Sequence, residues 1–185
     1  MGIALAECAS EMGADVSLVL GPVEIKPQSE NIKVINVTSA DSMAKACLSL
    51  FSDCDIAILA AAVADFTPVT VNDRKIKKDK NSLLLELKPT TDIAATLGKM
   101  KKPNQFIVGF ALETDDELKN ARKKLLNKNL DIIVLNSLND KGAGFGYDTN
   151  KITIVDCNNI INKFELKSKE EASKDILEKV ISMIQ

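Results

Sequence analysis

The chain contains no histidine. That excludes Ser-His-Asp and Cys-His catalysis, and it excludes His-ligated metal sites. Any chemistry must rest on carboxylates, lysines, amides, backbone donors and a hard cation such as Mg²⁺. Paired cysteines are missing too. Cys8, Cys47, Cys54 and Cys157 are scattered, with no CxxC pair and no zinc-ligand spacing. Most lie in or beside apolar stretches, as small core residues do. No apolar run is long: Ile56 to Ala64 falls well short of a membrane span, and the start does not resemble a signal peptide. A cytoplasmic location is expected. The charge balance is nearly even, at −2, so nothing draws the whole molecule to nucleic acid or to anionic membranes. A polyanion site would have to be local.

What is present is the composition of an ordinary globular protein, 45% hydrophobic and 27% charged, in 185 residues. That length fits one domain with its own core. The organising stretch runs from Asp55 to Lys78. It opens as a buried strand, Asp55 to Ala61, and continues through small residues to Asp65 and Phe66. It ends in a basic cluster of Arg74, Lys75, Lys77 and Lys78. Ligands of open α/β sheets bind at the carboxyl ends of the strands. A basic arm leaving that end can fold onto a nucleotide triphosphate or phosphate ester, or it can simply be a solvated loop.

The rest of the chain alternates. Met1 to Met12 reads as a helix closed by Gly13, and Asp15 to Leu20 as a strand before the turn Gly21-Pro22. A second strand, Ile32 to Val37, leads through the caps Thr38-Ser39 into a helix over Ala40 to Phe51. After Phe66 comes a polar, lysine-rich segment, and Leu83 to Leu87 returns as a strand, making a two-stranded flap over about residues 67–88. Such a ribbon is marginal alone, which suggests that it packs on a neighbour such as a second subunit. A helix runs from Pro89–Asp92 through Met100, with Thr90 or Thr91 as N-cap and Asp92 in the first turn. Gln105 to Leu112 is a buried strand in which Gly109 permits close backbone approach. The helix Asp115 to Lys128 opens acidic and closes on Arg122, Lys123, Lys124 and Lys128, which by itself suits the helix dipole.

Asp131 to Leu135 is a short strand. The loop Asn136 to Asn150 holds Gly142, Gly144 and Gly146, but no helix follows at once, so it lacks the dinucleotide fingerprint. Lys151 to Val155 and Lys163 to Leu166 form a hairpin around Asn158-Asn159. The last helix starts at Ser168 with Glu171 as a capping box and buries Ile176, Leu177, Val180, Ile181 and Ile184. The expected fold is a three-layer α/β/α sandwich with a Rossmann-like, mainly parallel sheet, the inserted flap and a terminal hairpin.

An ordered set of blocks carries a family resemblance: MGxALAxxAxxxGAxVxLVxGP (Met1 to Pro22), AAVADF (Ala61 to Phe66), KIKK (Lys75 to Lys78), TDIA (Thr91 to Ala94), GFALET (Gly109 to Thr114), KNLDIIVLN (Lys128 to Asn136) and GFGYDTN (Gly144 to Asn150). Together they resemble bacterial phosphopantothenoylcysteine synthetase, also found as the C-terminal half of the bifunctional coenzyme A biosynthesis flavoprotein. The resemblance implies a two-step ligation. The carboxylate of 4′-phosphopantothenate attacks the α-phosphorus of CTP, giving an acyl-cytidylate and pyrophosphate; the amine of cysteine then displaces CMP. Such chemistry needs charge neutralisation, a divalent cation and exclusion of water.

Residue by residue, the resemblance makes Ala61 and Asp65 nucleotide contacts, with Asp65 holding the Mg²⁺-triphosphate. Lys75 matches a catalytic lysine on a mobile arm. Thr91, Asp92, Ile93 and Ala94 match the segment beside the nucleotide, where helix N-terminal amides bind polar edges or anions. Phe110 matches a residue near the base, though a core role fits the sequence equally well. Lys124 and Lys128 match basic positions reaching phosphate. Asn136 lies in a family block without an assigned role. The flap is expected to reach across a homodimer, and a flavin-dependent decarboxylase, fused or separate, is an implied partner. The family also carries, just upstream of its Met-Gly, a strand, a phosphate loop and a key asparagine. Acting without them, the 185 residues are expected to have weak or no ligase activity. Two other classes stay open: a nicotinamide-dependent Rossmann oxidoreductase, against which the missing GxGxxG unit and the single Tyr147 weigh, and a non-catalytic nucleotide-binding or dimerisation module.

Overall fold

The computed structural model describes residues 1–71, 74, 83–113, 115–137 and 147–184. In chain order the elements are α1 (Gly2–Glu11), β1 (Val16–Leu20), β2 (Ile32–Asn36), α2 (Ala40–Phe51), β3 (Ile56–Leu59), β4 (Phe66–Pro68), β5 (Leu87–Pro89), α3 (Ile93–Met100), β6 (Phe106–Glu113), α4 (Glu117–Asn127), β7 (Ile132–Ser137), β8 (Thr149–Asn150), β9 (Ile152–Asp156), β10 (Ile161–Lys163), β11 (Lys167–Ser168) and α5 (Lys169–Ile184). The central sheet has the order β10-β9-β7-β6-β3. Its first three strands along the chain, β3, β6 and β7, are parallel, and β9 and β10 add antiparallel at one side.

Period-two alternation divides this sheet into two buried faces. Val108, Ile132, Val134, Ile152 and Ile154 meet Leu5 and Cys8 of α1 and Ile176, Leu177 and Val180 of α5. Ile107, Ala111, Ile133, Leu135 and Val155 meet α2, α3 and α4 through Ala44, Phe51, Ile93, Leu97, Ala121 and Leu125. The expected three-layer sandwich is therefore present.

β1 and β2 pair parallel with each other but not with the central sheet. Helix α1 touches β1 and packs on the face of β3 that carries Ile58 and Ala60. Helix α2 also touches β1, while its Ala44 and Phe51 pack over Ala57 and Leu59 on the other face. β1 and β3 thus share one layer between the same two helices. Among the described residues, each keeps one strand edge without a partner.

Several terminations follow local rules. After α1, Gly13 at φ 90° donates to the Ser10 carbonyl and Ala14 donates to that of Ala9, a Schellman closure that favours glycine. Ser39 and Ser42 form the cap of α2, and Ser168 and Glu171 exchange hydrogen bonds at 3.0 and 3.1 Å ahead of α5. The hairpin turns at Asn159, which holds φ 66°.

Several expectations change, among them the second strand of the hairpin, which is Ile161–Lys163 rather than Lys163 to Leu166. The N-cap of α3 is Asp92, whose carboxylate accepts from the Ala95 amide at 3.0 Å; the Thr90 hydroxyl is engaged elsewhere. The returning flap strand is Leu87–Pro89 rather than Leu83 to Leu87, because the register with Phe66–Pro68 starts there and Leu83, Leu84 and Leu85 are left exposed among the described residues. On α5 the buried stripe ends at Val180. Ile181 lies a further 100° round the helix, Ile184 lies in the last turn, and both are exposed. At Gly109, what a Cβ would meet is the Leu130 side-chain tip, not backbone.

Candidate functional site at the carboxyl ends of the parallel strands

The parallel strands deliver four site elements to one end of the sheet. The loop after β3 carries Ala61 and Asp65, both exposed. The flap leaves and returns there: β4 and β5 pair antiparallel, with the Val69 amide donating to the Glu86 carbonyl at 2.9 Å and the Thr90 amide donating to the Asp65 carbonyl at 2.9 Å. Pro68 and Pro89 fall between these rungs, on positions that this alternation leaves without ladder bonds, so their missing N–H groups cost nothing. Two residues beyond Thr90, Asp92 opens α3. Glu113 ends β6.

From the other side, α4 brings its cations. Lys128 Nζ lies 2.9 Å from one Asp92 oxygen and 3.1 Å from the other. Burial pushes the Asp92 carboxyl up, but the Ala95 amide and the Lys128 ammonium outweigh it and hold the group below the usual carboxylate range. Lys124 Nζ reaches Glu113 at 2.6 Å, and the Asn120 amide donates to the other Glu113 oxygen at 3.4 Å. Glu113, Asn120, Lys123, Lys124, Asn127 and Lys128 line an open cleft of about 280 Å³, three ammonium groups against one carboxylate. The basic end of α4 therefore does more than complement a helix dipole: it faces an acceptor at the end of β6 and one at the start of α3.

Asp65, Thr91, Asp92 and Lys128 are thus gathered about one helix N-terminus. Ile93 is buried in the α2–α4 core, so only its backbone is available to a ligand, and Ala94 packs beside that core partly buried. Phe110 is half-buried against the opposite core, with α1 and α5. Lys75, the rest of KIKK and the glycines 142, 144 and 146 lie outside the described residues. Asn136 has a buried Oδ1 with no partner among the described residues. Glu113 and Thr90 were missed by sequence reasoning. Their only signal was adjacency: Glu113 within GFALET and Thr90 next to TDIA.

Cysteine takes no part in this site. Burial pushes the thiols of Cys8, Cys47 and Cys54 up, which keeps them protonated. Among the described residues no three acids, cysteines or histidines cluster as a metal cage. The exposed Asp65 carboxylate is one hard oxygen of the kind that an Mg²⁺ carried largely by phosphates and water would take. No helix among the described residues is long and apolar enough to cross a membrane.

Residues 1–184 match the family model for the DNA/pantothenate metabolism flavoprotein C-terminal domain. A cysteine/cysteine sulfinic acid decarboxylase from an unknown prokaryotic organism is 60% identical over 184 residues, covering 100% of this chain and 51% of that protein. The coenzyme A biosynthesis bifunctional protein CoaBC of Bacillus subtilis (strain 168) is 46% identical over 183 residues, 99% of this chain and 45% of its own length. The chain thus spans about half the length of these curated relatives. The crystal structure of the C-terminal domain of a CoaBC superposes with a TM-score of 0.83 at 33% identity, covering 99% of this chain and 81% of that one.

Proposed function

The chain belongs to the family of the DNA/pantothenate metabolism flavoprotein C-terminal domain, and from that premise we propose that it carries the phosphopantothenate–cysteine ligase chemistry of coenzyme A biosynthesis. The observation that carries this reading is the junction at the start of α3. There Asp65 is tied through Thr90 to Asp92, and Asp92 meets Lys128.

A CTP triphosphate laid across this junction meets the first-turn amides of α3 and the ammonium groups of Lys124 and Lys128. Both stabilise negative charge where it accumulates as pyrophosphate leaves. The carboxylate oxygen of 4′-phosphopantothenate forms the new bond to the α-phosphorus as the bond to pyrophosphate breaks. The cysteine amine then attacks the acyl carbon, CMP departs, and the amine proton passes to solvent. Ala61, Thr91 and the backbone of Ile93 and Ala94 line the nucleotide, Phe110 stands near the base, and Lys75 on the flap assists conversion of the intermediate. Asp65 would hold Mg²⁺, which when bound neutralises phosphate charge.

The flap is the dimer contact in this reading. Phe66, Val69, Leu83, Leu84, Leu85 and Leu87 are all exposed, Leu84 at 96%, and a second copy would cover them. A flavin-dependent decarboxylase, fused or separate, is the natural supplier of a partner activity, and the setting is cytoplasmic.

The test is direct. The chain, by itself and with the family's upstream strand and phosphate loop joined ahead of Met1, is incubated with Mg²⁺, CTP, 4′-phosphopantothenate and cysteine, and pyrophosphate and amide product are followed. Thermal-shift titration with CTP, ATP and NADPH runs alongside. Selective stabilisation by CTP-Mg²⁺ with substrate-dependent pyrophosphate release supports the ligase; stabilisation by NADPH alone overturns it in favour of an oxidoreductase.

A further inference from the structure

We propose that Thr90 is a positioning residue that clamps the loop after β3, the root of the flap and the N-terminus of α3 into one unit. The inference rests on the reading that a nucleotide binds at this junction. Thr90 makes two bonds to consecutive residues of that loop. Its hydroxyl donates to the Ala64 carbonyl at 2.6 Å and its amide donates to the Asp65 carbonyl at 2.9 Å. The amide bond is the last rung of the β4–β5 ladder. The hydroxyl bond lies beyond that ladder, where no regular strand pairing requires it.

Sequence places Asp92 two residues further on, and its carboxylate is already committed to Ala95 and Lys128. With Thr90 in place, the Asp65 backbone, the α3 amides and the Lys128 ammonium therefore keep a fixed relation before any ligand arrives. Without the hydroxyl, the loop has to be ordered by the ligand itself, and that ordering is subtracted from affinity. The bond is solvent-exposed, so water can take over the Ala64 carbonyl and the fold loses little.

The substitutions are Thr90→Val, which keeps the β-branched shape and loses the hydroxyl, and Thr90→Ser, which keeps the hydroxyl. In the ligand-free protein, hydrogen exchange of the Thr90 amide is expected to quicken about 2- to 13-fold in Thr90→Val, the range of one net hydrogen bond. Thr90→Ser is expected to restore it, while exchange in β6 and β7 stays unchanged. CTP-Mg²⁺ affinity, read by calorimetry, is expected to fall by a factor in the same range in Thr90→Val and to recover in Thr90→Ser. Unchanged exchange at Thr90 overturns the clamp, and so does exchange that quickens equally throughout the sheet. Altered local exchange with unaltered CTP affinity overturns its positioning role. If the unsubstituted protein binds no CTP, the nucleotide reading fails and the positioning role fails with it, while exchange still reports the clamp itself.

Discussion

Gly98 offers a test in which two physical effects predict opposite signs. It lies within α3, where glycine is normally a liability: alanine in a helix interior is favoured by about 1 kcal/mol. Propensity alone therefore makes Gly98→Ala stabilising. The packing says otherwise. A Cβ at this position would stand 1.9 Å from the Lys128 carbonyl oxygen and 2.9 Å from its carbon, and real Cβ contacts essentially never fall under 3.0 Å. The obstacle would have to retreat by 3.0 − 1.9 = 1.1 Å. It is backbone in a braced turn. Lys128 donates to Lys124 at 3.0 Å, Asn129 holds φ 51°, its side-chain amide donates to the Gly98 carbonyl at 2.8 Å, and Leu130 donates to Leu125 at 3.0 Å. Overpacking against such a wall costs about 1–3 kcal/mol or more. Because the clash is with backbone, the cost falls at the upper end of that range; less the propensity gain of about 1 kcal/mol, the expected net loss is about 2 kcal/mol, seen as a lower urea midpoint with an unchanged slope. Moving the turn also draws Lys128 from Asp92, so nucleotide affinity should fall with stability. Gly109→Ala is the control, since its Cβ meets only the flexible Leu130 tip at 2.6 Å and should cost less. A Gly98→Ala protein as stable as the parent, or more so, would falsify the account of α3 packing.

Other outcomes follow from the same structure. Asp156, with a side chain 1% exposed, accepts from Lys179 at 2.8 Å and from the Asn158 and Ile160 amides; Asp156→Ala, which strands the Lys179 charge, should cost about 3–5 kcal/mol in urea unfolding. Burial raises the Asp156 carboxyl, but Lys179 and the two amides outweigh it and leave it below its ordinary value. Its contribution is therefore complete above the unfolded value of about 3.9 and drains away as pH falls through the folded one. Asp156→Asn should flatten that acid limb, and an equally steep limb would count against the assignment. Lys128→Met should weaken CTP binding and reduce its salt dependence while changing stability by less than about 1 kcal/mol, because the pair with Asp92 is partly exposed; calorimetry at two ionic strengths decides it. Leu84→Glu should shift sedimentation from dimer to monomer and remove the dependence of the melting temperature on protein concentration, and a monomeric parent protein would remove the basis for the flap interface.

What could be read in advance was what short range decides. Gly13, Ser39 and the Ser168–Glu171 box act over a few residues, and each closes or opens its helix as the spacing implies. The unbroken apolar runs of β6 and β7 likewise announced a sheet covered on both faces. The misplaced cap of α3 has a different cause. Thr90 and Thr91 are good caps by residue type, but the Thr90 hydroxyl is drawn to a carbonyl 26 residues upstream, a partner no local window contains. Glu113 was hidden in the same way: its lysine is 11 residues on, across a strand end and a helix start. The leucines at 83–85 have strand-forming side chains, but a strand also needs an edge to pair with, and the three-residue ladder ends before them.

The edges of β1 and β3 that are unshared among the described residues bear on how a solution of this polypeptide should behave. Val16 to Leu20 and Ile56 to Leu59 carry no charged side chain, so neither rim has the lysine or the proline that usually deters recruitment. Amide hydrogens and carbonyls left unpaired along an uncharged rim invite any extended segment, including one from a loosened neighbour. Turbidity that grows with protein concentration, and that subsides when a lysine is installed at Ile56, would trace precipitation to this rim rather than to the leucines of the flap.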